Sequence, residues 1–360
     1  MKPKPPVFAV RLGFCSTLIG TDMLAARRLI HTTVFIAACA AFPWAWGQKS
    51  IKNATAQTPA EVPAAWPTKP LKILVGFPGG TTPDMAARTL AEPLSKALGQ
   101  PITIENRPGA AGNIAADLVA KATDDHTLGV VINGNLTSAK MLYSKLPYNP
   151  ATDFSYLSLL ATSPLVLVTT PDQPGGAAFF NAAQAGADKW NFGSPGNGTV
   201  GHLGMEYLKT KVSGITAVHV PYAGYPQVAT AMLGGQVQMA LMAPGVAMPQ
   251  VRAGKLKAIG VTGGRSSLLS ELPSLAEAGL ADFNLEVWTA LVGPANLSAA
   301  AKTRLATEVG KAIREADTRQ KLFNQGWQAV GSSPEGLQNR VDAETRIMGN
   351  IISTRGIKID

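Results

Sequence analysis

Apolar residues crowd into a short run at 71–77, LKILVGF, which has the length and branched-residue content of a buried strand. Pro78-Gly79-Gly80 breaks the run with turn residues. Thr82-Pro83-Asp84 then has the pattern of a helix start, with Thr at the N-cap, Pro at the first helical position and Asp in the first turn. Leu90, Leu94 and Leu98 carry this helix on at helical spacing; Pro93 is expected to kink it and Gly99 to end it. A strand, a glycine turn and a helix N-terminus expose several backbone N–H groups at one point, where the helix dipole adds positive potential. Such a turn can hold an anion, or it can be a plain connection in an α/β fold.

The same device recurs in the second half of the chain. WNFGS at 190–194 is a short strand, PGNGTVG at 195–201 a glycine loop, and HLGMEYLKTK at 202–211 a helix with Leu203, Tyr207 and Leu208 on one face. Two such turns suggest two lobes facing across a cleft, with a carboxylate held by backbone dipoles.

The intervening pattern alternates strands and helices. Strands are expected at 102–105 and 128–132, helices at 83–98 and 114–122, a glycine turn at 107–113 and a polar loop at 133–137. The continuous apolar run at 165–170 suits a crossing between lobes. A helix at 177–187, a strand at 218–220 ending in Pro221-Tyr222-Ala223-Gly224, a helix at 226–233, a strand at 237–242, a helix at 246–253 and a strand at 256–262 follow. The stretch 286–292 is the expected return crossing, and amphipathic helices at 298–314, 318–325 and 334–351 close the chain. This alternation implies an α/β fold with a mostly parallel sheet, whose ligand site lies at the strand C-terminal ends.

Charge changes the picture little. The formal net charge is +9, of which +4 falls in residues 1–47, and no dense Lys/Arg run with interleaved aromatics suggests nucleic acid. Arg27-Arg28 followed by the apolar stretch 29–41 has the form of a signal peptide, with cleavage expected after Gly47 or near Ala56. The pattern begins at Met23, so residues 1–22 read as an upstream extension. Ile36-Ala37-Ala38-Cys39 offers a lipid anchor as the alternative. Cys15 and Cys39 both precede the expected cleavage, which leaves the exported chain without cysteine. The Pro/Ala/Thr-rich stretch at 48–68 reads as a flexible leader.

The motifs that carry chemistry elsewhere are incomplete. Gly196, Gly198 and Gly201 match the dinucleotide fingerprint, but the region at 215–220 has His219 and no acidic residue. His31, His126, His202 and His219 lack zinc-ligand spacing. Ser194 and His202 invite a hydrolase reading, but Phe192 stands where the nucleophile elbow needs glycine. Asp84 and Arg88 have the spacing of an ion pair within a helix, and Asp84 is expected to cap its helix rather than meet an anion. Trp288 fits either the core or an aromatic wall of the cleft.

The stretches WPTKPLKILVGFPGGTTPDMAAR, ENRPGAAGNIAADLVAKA, LYSKLPYNPATDF, WNFGSPGNGTVGHLGMEYL, HVPYAGYPQVATAMLGGQVQ and VRAGKLKAIGVTG together resemble the periplasmic solute receptors of tripartite tricarboxylate transporters, the Bug family. The resemblance implies a two-lobed type II periplasmic binding protein fold, no catalysis and no cofactor. It implies a small carboxylated solute as ligand, the membrane components of such a transporter as partners, and the periplasm as location; a monomer is expected. The lobes would comprise 69–168 completed by 288–360, and 169–287. The resemblance assigns the ligand to the turns at 77–82 and 194–199. The candidate binding set is therefore Phe77, Gly79, Gly80, Thr81 and Thr82 on the first turn, and Ser194, Gly196, Gly198 and Thr199 on the second. Asn133 and Asn135 follow the 128–132 strand, Tyr222 and Ala223 end the 218–220 strand, and Met242 and Trp288 complete the set; no metal ligand is assigned. The chain departs from the family at Asp124-Asp125-His126, where Pro-Asp-Gly-Tyr is frequent, and at Gln238 and Met242, where Asp is frequent. With no acid at 242 to pair an ammonium group, a carboxylate with an apolar or aromatic body is expected rather than an amino acid. The rival readings are a nucleotide-dependent oxidoreductase, a serine hydrolase, and a binding protein used in sensing.

Overall fold

The computed structural model describes residues 66–359 apart from 187–188. The signal segment, Cys15, Cys39 and most of the leader lie outside the described residues. Two mixed sheets, each with helices packed on it, carry the architecture.

The first sheet is built on β1 (Leu71–Val75), which pairs in parallel with β2 (Ile102–Asn106) and β3 (Thr127–Ile132). These strands are short and apolar, and β1 and β3 are buried almost throughout. Helix α1 (Thr82–Leu98) has Thr81 rather than Thr82 at its N-cap and Gly99 at its C-cap, whose positive φ closes the last turn, with Pro93 inside it. Helix α2 (Asn113–Ala120) follows a single 3₁₀ turn at Ala110–Gly112. The expected polar loop after β3 is instead one helical turn, α3 (Asn133–Leu136), with all four residues buried, followed by α4 (Ala139–Leu142).

A long strand, β4 (Phe154–Pro164), then enters the first sheet, and β5 (Val166–Thr169) enters the second. The crossing is therefore at Leu165, the first residue of the apolar run expected to make it; the following residues of that run form β5, an inner strand of the second sheet. There β5 lies antiparallel to β8 (Met239–Met242) and to β9 (Lys257–Val261). Strand β6 (Asn191–Ser194) is parallel to β7 (Val218–Pro221) and to β8. Helices α5 (Ala178–Ala185), α6 (Val200–Lys211), α7 (Tyr225–Leu233) and α8 (Pro244–Arg252) connect them.

The return strand β10 (Glu286–Pro294) runs antiparallel between β4 and β3. The chain closes with α9 (Ala299–Arg314), α10 (Ala316–Asn324), β11 (Gln328–Ala329) beside β4, and α11 (Pro334–Arg355). Parallel pairing is thus confined to the βαβ units, and the strands that cross between sheets run antiparallel. Thr262 ties the two crossings together: Leu165 N–H donates to its hydroxyl at 2.9 Å, and that hydroxyl donates to Leu285 O.

Candidate functional site

The two glycine turns do face each other. Thr81, Thr82 and Pro83 at the start of α1, and Pro195, Thr199 and Val200 at the start of α6, line one narrow cavity of about 30 Å³. Phe77, Ile132, Val287, Tyr225 and Trp327 supply most of the rest of the wall, and Asn133 and Gly224 complete it. The lining side chains are uncharged, so helix termini and neutral polar groups set the potential inside. Larger grooves exist, such as one of about 310 Å³ between α6 and α11. That groove is open to solvent and meets no helix N-terminus.

The backbone donors of both turns are largely used within the turns themselves. Gly80 N–H donates to Asp84 Oδ2 at 2.8 Å, and the same carboxylate takes Asn106 Nδ2 and the Arg88 guanidinium. Asp84 is 1% exposed. Burial pushes its carboxyl up, but the hydrogen bonds from Arg88, Asn106 and Gly80 outweigh it and hold the group below its ordinary value. In the second turn, Gly196 N–H donates to Ser194 Oγ at 3.2 Å and Gly198 N–H to His202 Nδ1 at 3.1 Å. Thr199 caps α6 by accepting from His202 N–H. The first-turn amides of Thr82, Val200 and Gly201 remain, because a helix cannot satisfy them itself.

What the cavity does offer is unpaired side-chain atoms. Among the described residues, Thr82 Oγ1, Asn133 Oδ1 and Trp327 Nε1 are buried, have no hydrogen-bond partner in the protein, and belong to residues that line this cavity. Each such atom costs about 1–3 kcal/mol, and folds seldom leave them unpaired. Behind the wall, Asn133 Nδ2 donates to Glu286 O at 3.1 Å and to Glu344 Oε1 at 2.6 Å. Glu344 is buried, which pushes its carboxyl up against the opposing pull of Trp288 Nε1–H, Arg340 and Asn133.

Residues 86–357 match the model of the tripartite tricarboxylate transporter family receptor. The chain belongs to that family. Among curated relatives, a UPF0065 protein from the tcbD-tcbE intergenic region of a Pseudomonas species is 32% identical over 81% of this chain and 88% of its own length. Protein BugT of Bordetella pertussis is 28% identical over 85% of this chain and 95% of its own. Among solved structures, an R. palustris protein with adipate is 31% identical with a TM-score of 0.78, covering 82% of this chain and all of its own (100%). MatC of Rhodopseudomonas palustris, solved with bound malate, is 29% identical with a TM-score of 0.75, covering 80% of this chain and 100% of its own. The fold of this receptor is the two-lobed fold of periplasmic binding proteins.

Within this receptor, Phe77, Thr81, Thr82, Asn133 and Thr199 are the expected site residues that meet at the cavity. Gly79 and Gly80 lie on the exposed outside of their turn. Asn135 is buried in the frame, taking Ile132 N–H and donating to Ala111 O and Asn113. Ser194 sits 2.7 Å from His219 rather than beside His202, and the two imidazoles stack at 3.9 Å, away from the cavity wall. Gly196 and Gly198 shape the second turn with positive φ. Tyr222 is half-buried and Ala223 exposed; their neighbours Gly224 and Tyr225 form the wall instead.

Two further residues of the expected set lie away from this cavity, and Trp288 takes the core alternative. Met242 is fully buried in β8, paired with Val166. Trp288 is fully buried in β10 and donates to Glu344. Neither lines the cavity, because strands on the middle of a covered sheet turn their bulk into the core. The aromatic surface of the cavity comes from Phe77, Tyr225 and Trp327, the last of which follows α10, far from either glycine turn in sequence. The expected ion pair within α1 is present, with Arg88 Nη2 2.9 Å from Asp84 Oδ1.

Proposed function

We propose that this receptor is exported to the periplasm and captures a small carboxylate, with an apolar or aromatic body, between its lobes. The carrying observation is the pair of unpaired buried donors, Thr82 Oγ1–H and Trp327 Nε1–H, in an uncharged cavity between two helix N-termini. A carboxylate would accept from both and from the first-turn amides, and such charge-assisted bonds are the strong ones. The adipate and malate of the two solved relatives are small carboxylates.

An ammonium group has no counterpart there. Asp84 is engaged by Arg88, Asn106 and Gly80, Glu286 by Arg340, and Glu344 by Trp288, Asn133 and Arg340; none of the three lines the cavity. Burying an unpaired charge is costly. Entry of a solute requires the lobes to part, and the Thr262 clasp at the two crossings is the natural hinge. The exported protein acts as a monomer that delivers its solute to the membrane components of a tripartite tricarboxylate-type transporter, without catalysing a reaction.

A thermal-shift screen of carboxylates, each beside its α-amino analogue, tests the reading. The carboxylate member of each pair is expected to give the larger shift. Consistent preference for the amino member would refute the uncharged-cavity argument. NAD binding, or ester turnover lost in Ser194→Ala, would refute the receptor reading altogether.

A further inference from the structure

Asn133 opens α3 at the C-terminal end of β3, and its side chain is held from one side. Nδ2 points to Glu286 O and to Glu344 Oε1. A backbone carbonyl can only accept, so the nitrogen must face Glu286 and the reversed amide is excluded. Glu344 is itself fixed, since its Oε2 accepts from Trp288 Nε1 and from Arg340 Nε, while Arg340 also reaches the Glu286 carboxylate. The amide of Asn133 is therefore locked by two elements, β10 and α11. Oδ1 is the atom left over: fully buried, without a donor in the protein, on a residue of the cavity wall.

This atom asks for something different from the other two unpaired groups. Thr82 Oγ1 and Trp327 Nε1 can donate, and a carboxylate serves both. Asn133 Oδ1 can only accept, and a ligand made of carboxylate and hydrocarbon leaves it unsatisfied. A neutral donor serves it without bringing an unpaired charge into an uncharged cavity. The narrow cavity favours a one-atom donor over an amide.

We propose that Asn133 determines specificity, and that it selects a hydroxycarboxylate whose hydroxyl donates to Oδ1 while its carboxylate engages Thr82 and Trp327. This rests on the carboxylate-receptor reading above. A site built around a ligand hydroxyl discriminates strongly against the analogue that lacks it, because its own polar group is then left unpaired.

Calorimetry on the full chain with matched probes tests the proposal: succinate beside malate, phenylacetate beside mandelate, and butyrate beside 2-hydroxybutyrate. The hydroxy member of each binding pair is expected to bind at least ~10-fold tighter. Asn133→Leu should bring that ratio to about one, whatever it does to the affinity for either member alone. Glu344→Gln, which leaves the cavity wall intact but can offer Asn133 a donor and release its amide, should lower the ratio as well. Should Asn133→Leu fail to fold, the wild-type ratios and Glu344→Gln still decide. Deoxy members that bind as tightly as their hydroxy partners in the wild type would overturn the proposal and leave the receptor reading standing. An unchanged ratio in folded Asn133→Leu would also overturn it. Failure of all six probes to bind would overturn both.

Discussion

Thr82→Val separates recognition from folding with one atom. The Thr82 hydroxyl is buried at the start of α1 and has no hydrogen-bond partner in the protein. Valine has nearly the same shape and a similar helix propensity, so the backbone and the cavity outline persist. In the ligand-free protein the substitution removes a desolvated, unpaired group whose penalty is about 1–3 kcal/mol. Stability should therefore hold or rise; each kcal/mol gained would appear as a rise of about 2–4 °C in Tm for a domain of 150–250 residues, and of less in a larger one. In the complex the same hydroxyl would donate to a carboxylate, a bond worth about 1.5–3 kcal/mol. Its loss predicts about 10- to 150-fold weaker binding. Calorimetry with the tightest carboxylate of a panel, and differential scanning fluorimetry without ligand, measure the two effects independently. Opposite signs are expected: weaker binding with equal or greater stability. Unchanged affinity would remove Thr82 from the site, and a loss of several degrees in the ligand-free Tm would mean that the hydroxyl already has a partner.

Trp327→Phe keeps an aromatic wall but deletes the indole N–H, and should weaken binding by at least ~10-fold in the same titration. Asp84→Ala frees Gly80 N–H, Asn106 and Arg88, and should cost ~2 kcal/mol or more at neutral pH in urea unfolding. Because the folded carboxyl titrates below its ordinary 3.8, that contribution is present above this value and lost as pH falls through the lowered pKa, so the deficit of the variant should shrink in strong acid. Burial lowers His202 to about 4, and burial with the neighbouring His202 and Lys209 lowers His219 to about 3. The unfolded chain then binds more protons between pH 6.5 and these values, so Tm should fall over that window, and His219→Phe should flatten the fall. Intact mass of the exported protein should place its N-terminus between Gln48 and Thr58; a retained Met1 or a lipidated Cys39 would contradict this.

Elements with strong local signals were legible. The turn residues around Pro78-Gly79-Gly80 and Pro195-Gly196, and the cap-and-proline start of α1, are written in short stretches that tertiary context had little reason to override. Strand β4 was not visible, because Ser155, Ser158, Thr162 and Ser163 interrupt its apolar run. The structure satisfies three of these inside the fold: Ser155 Oγ donates to Pro294 O, Ser158 Oγ to Ser332 O and Ser163 Oγ to Gly326 O. Buried polar residues with distant partners look, in one dimension, like a loop. The helical turn α3 was missed for a related reason: Asn-Gly-Asn has turn composition, yet Asn135 folds back on Ile132 N–H and locks the helical form.

The candidate site was legible as a place but not as a set of donors. Two strand–turn–helix units sufficed to bring α1 and α6 to one cavity. Which N–H groups stay available depends on Asp84 and His202, whose side chains turn back on Gly80 and Gly198. Spacing alone does not reveal such a return, and the consequence reaches function. A substitution such as Gly80→Val would act through backbone strain, since Gly80 has φ +78 and open space around it, and would say little about carboxylate contact. Of the three unpaired atoms at the cavity, one, Thr82 Oγ1, belongs to the first turn, and two belong to side chains placed by distant segments, Asn133 after β3 and Trp327 after α10. The scaffold is thus set by short local motifs. The wall behind the cavity is held by contacts between distant segments, Asn133 and Glu344 being 211 positions apart.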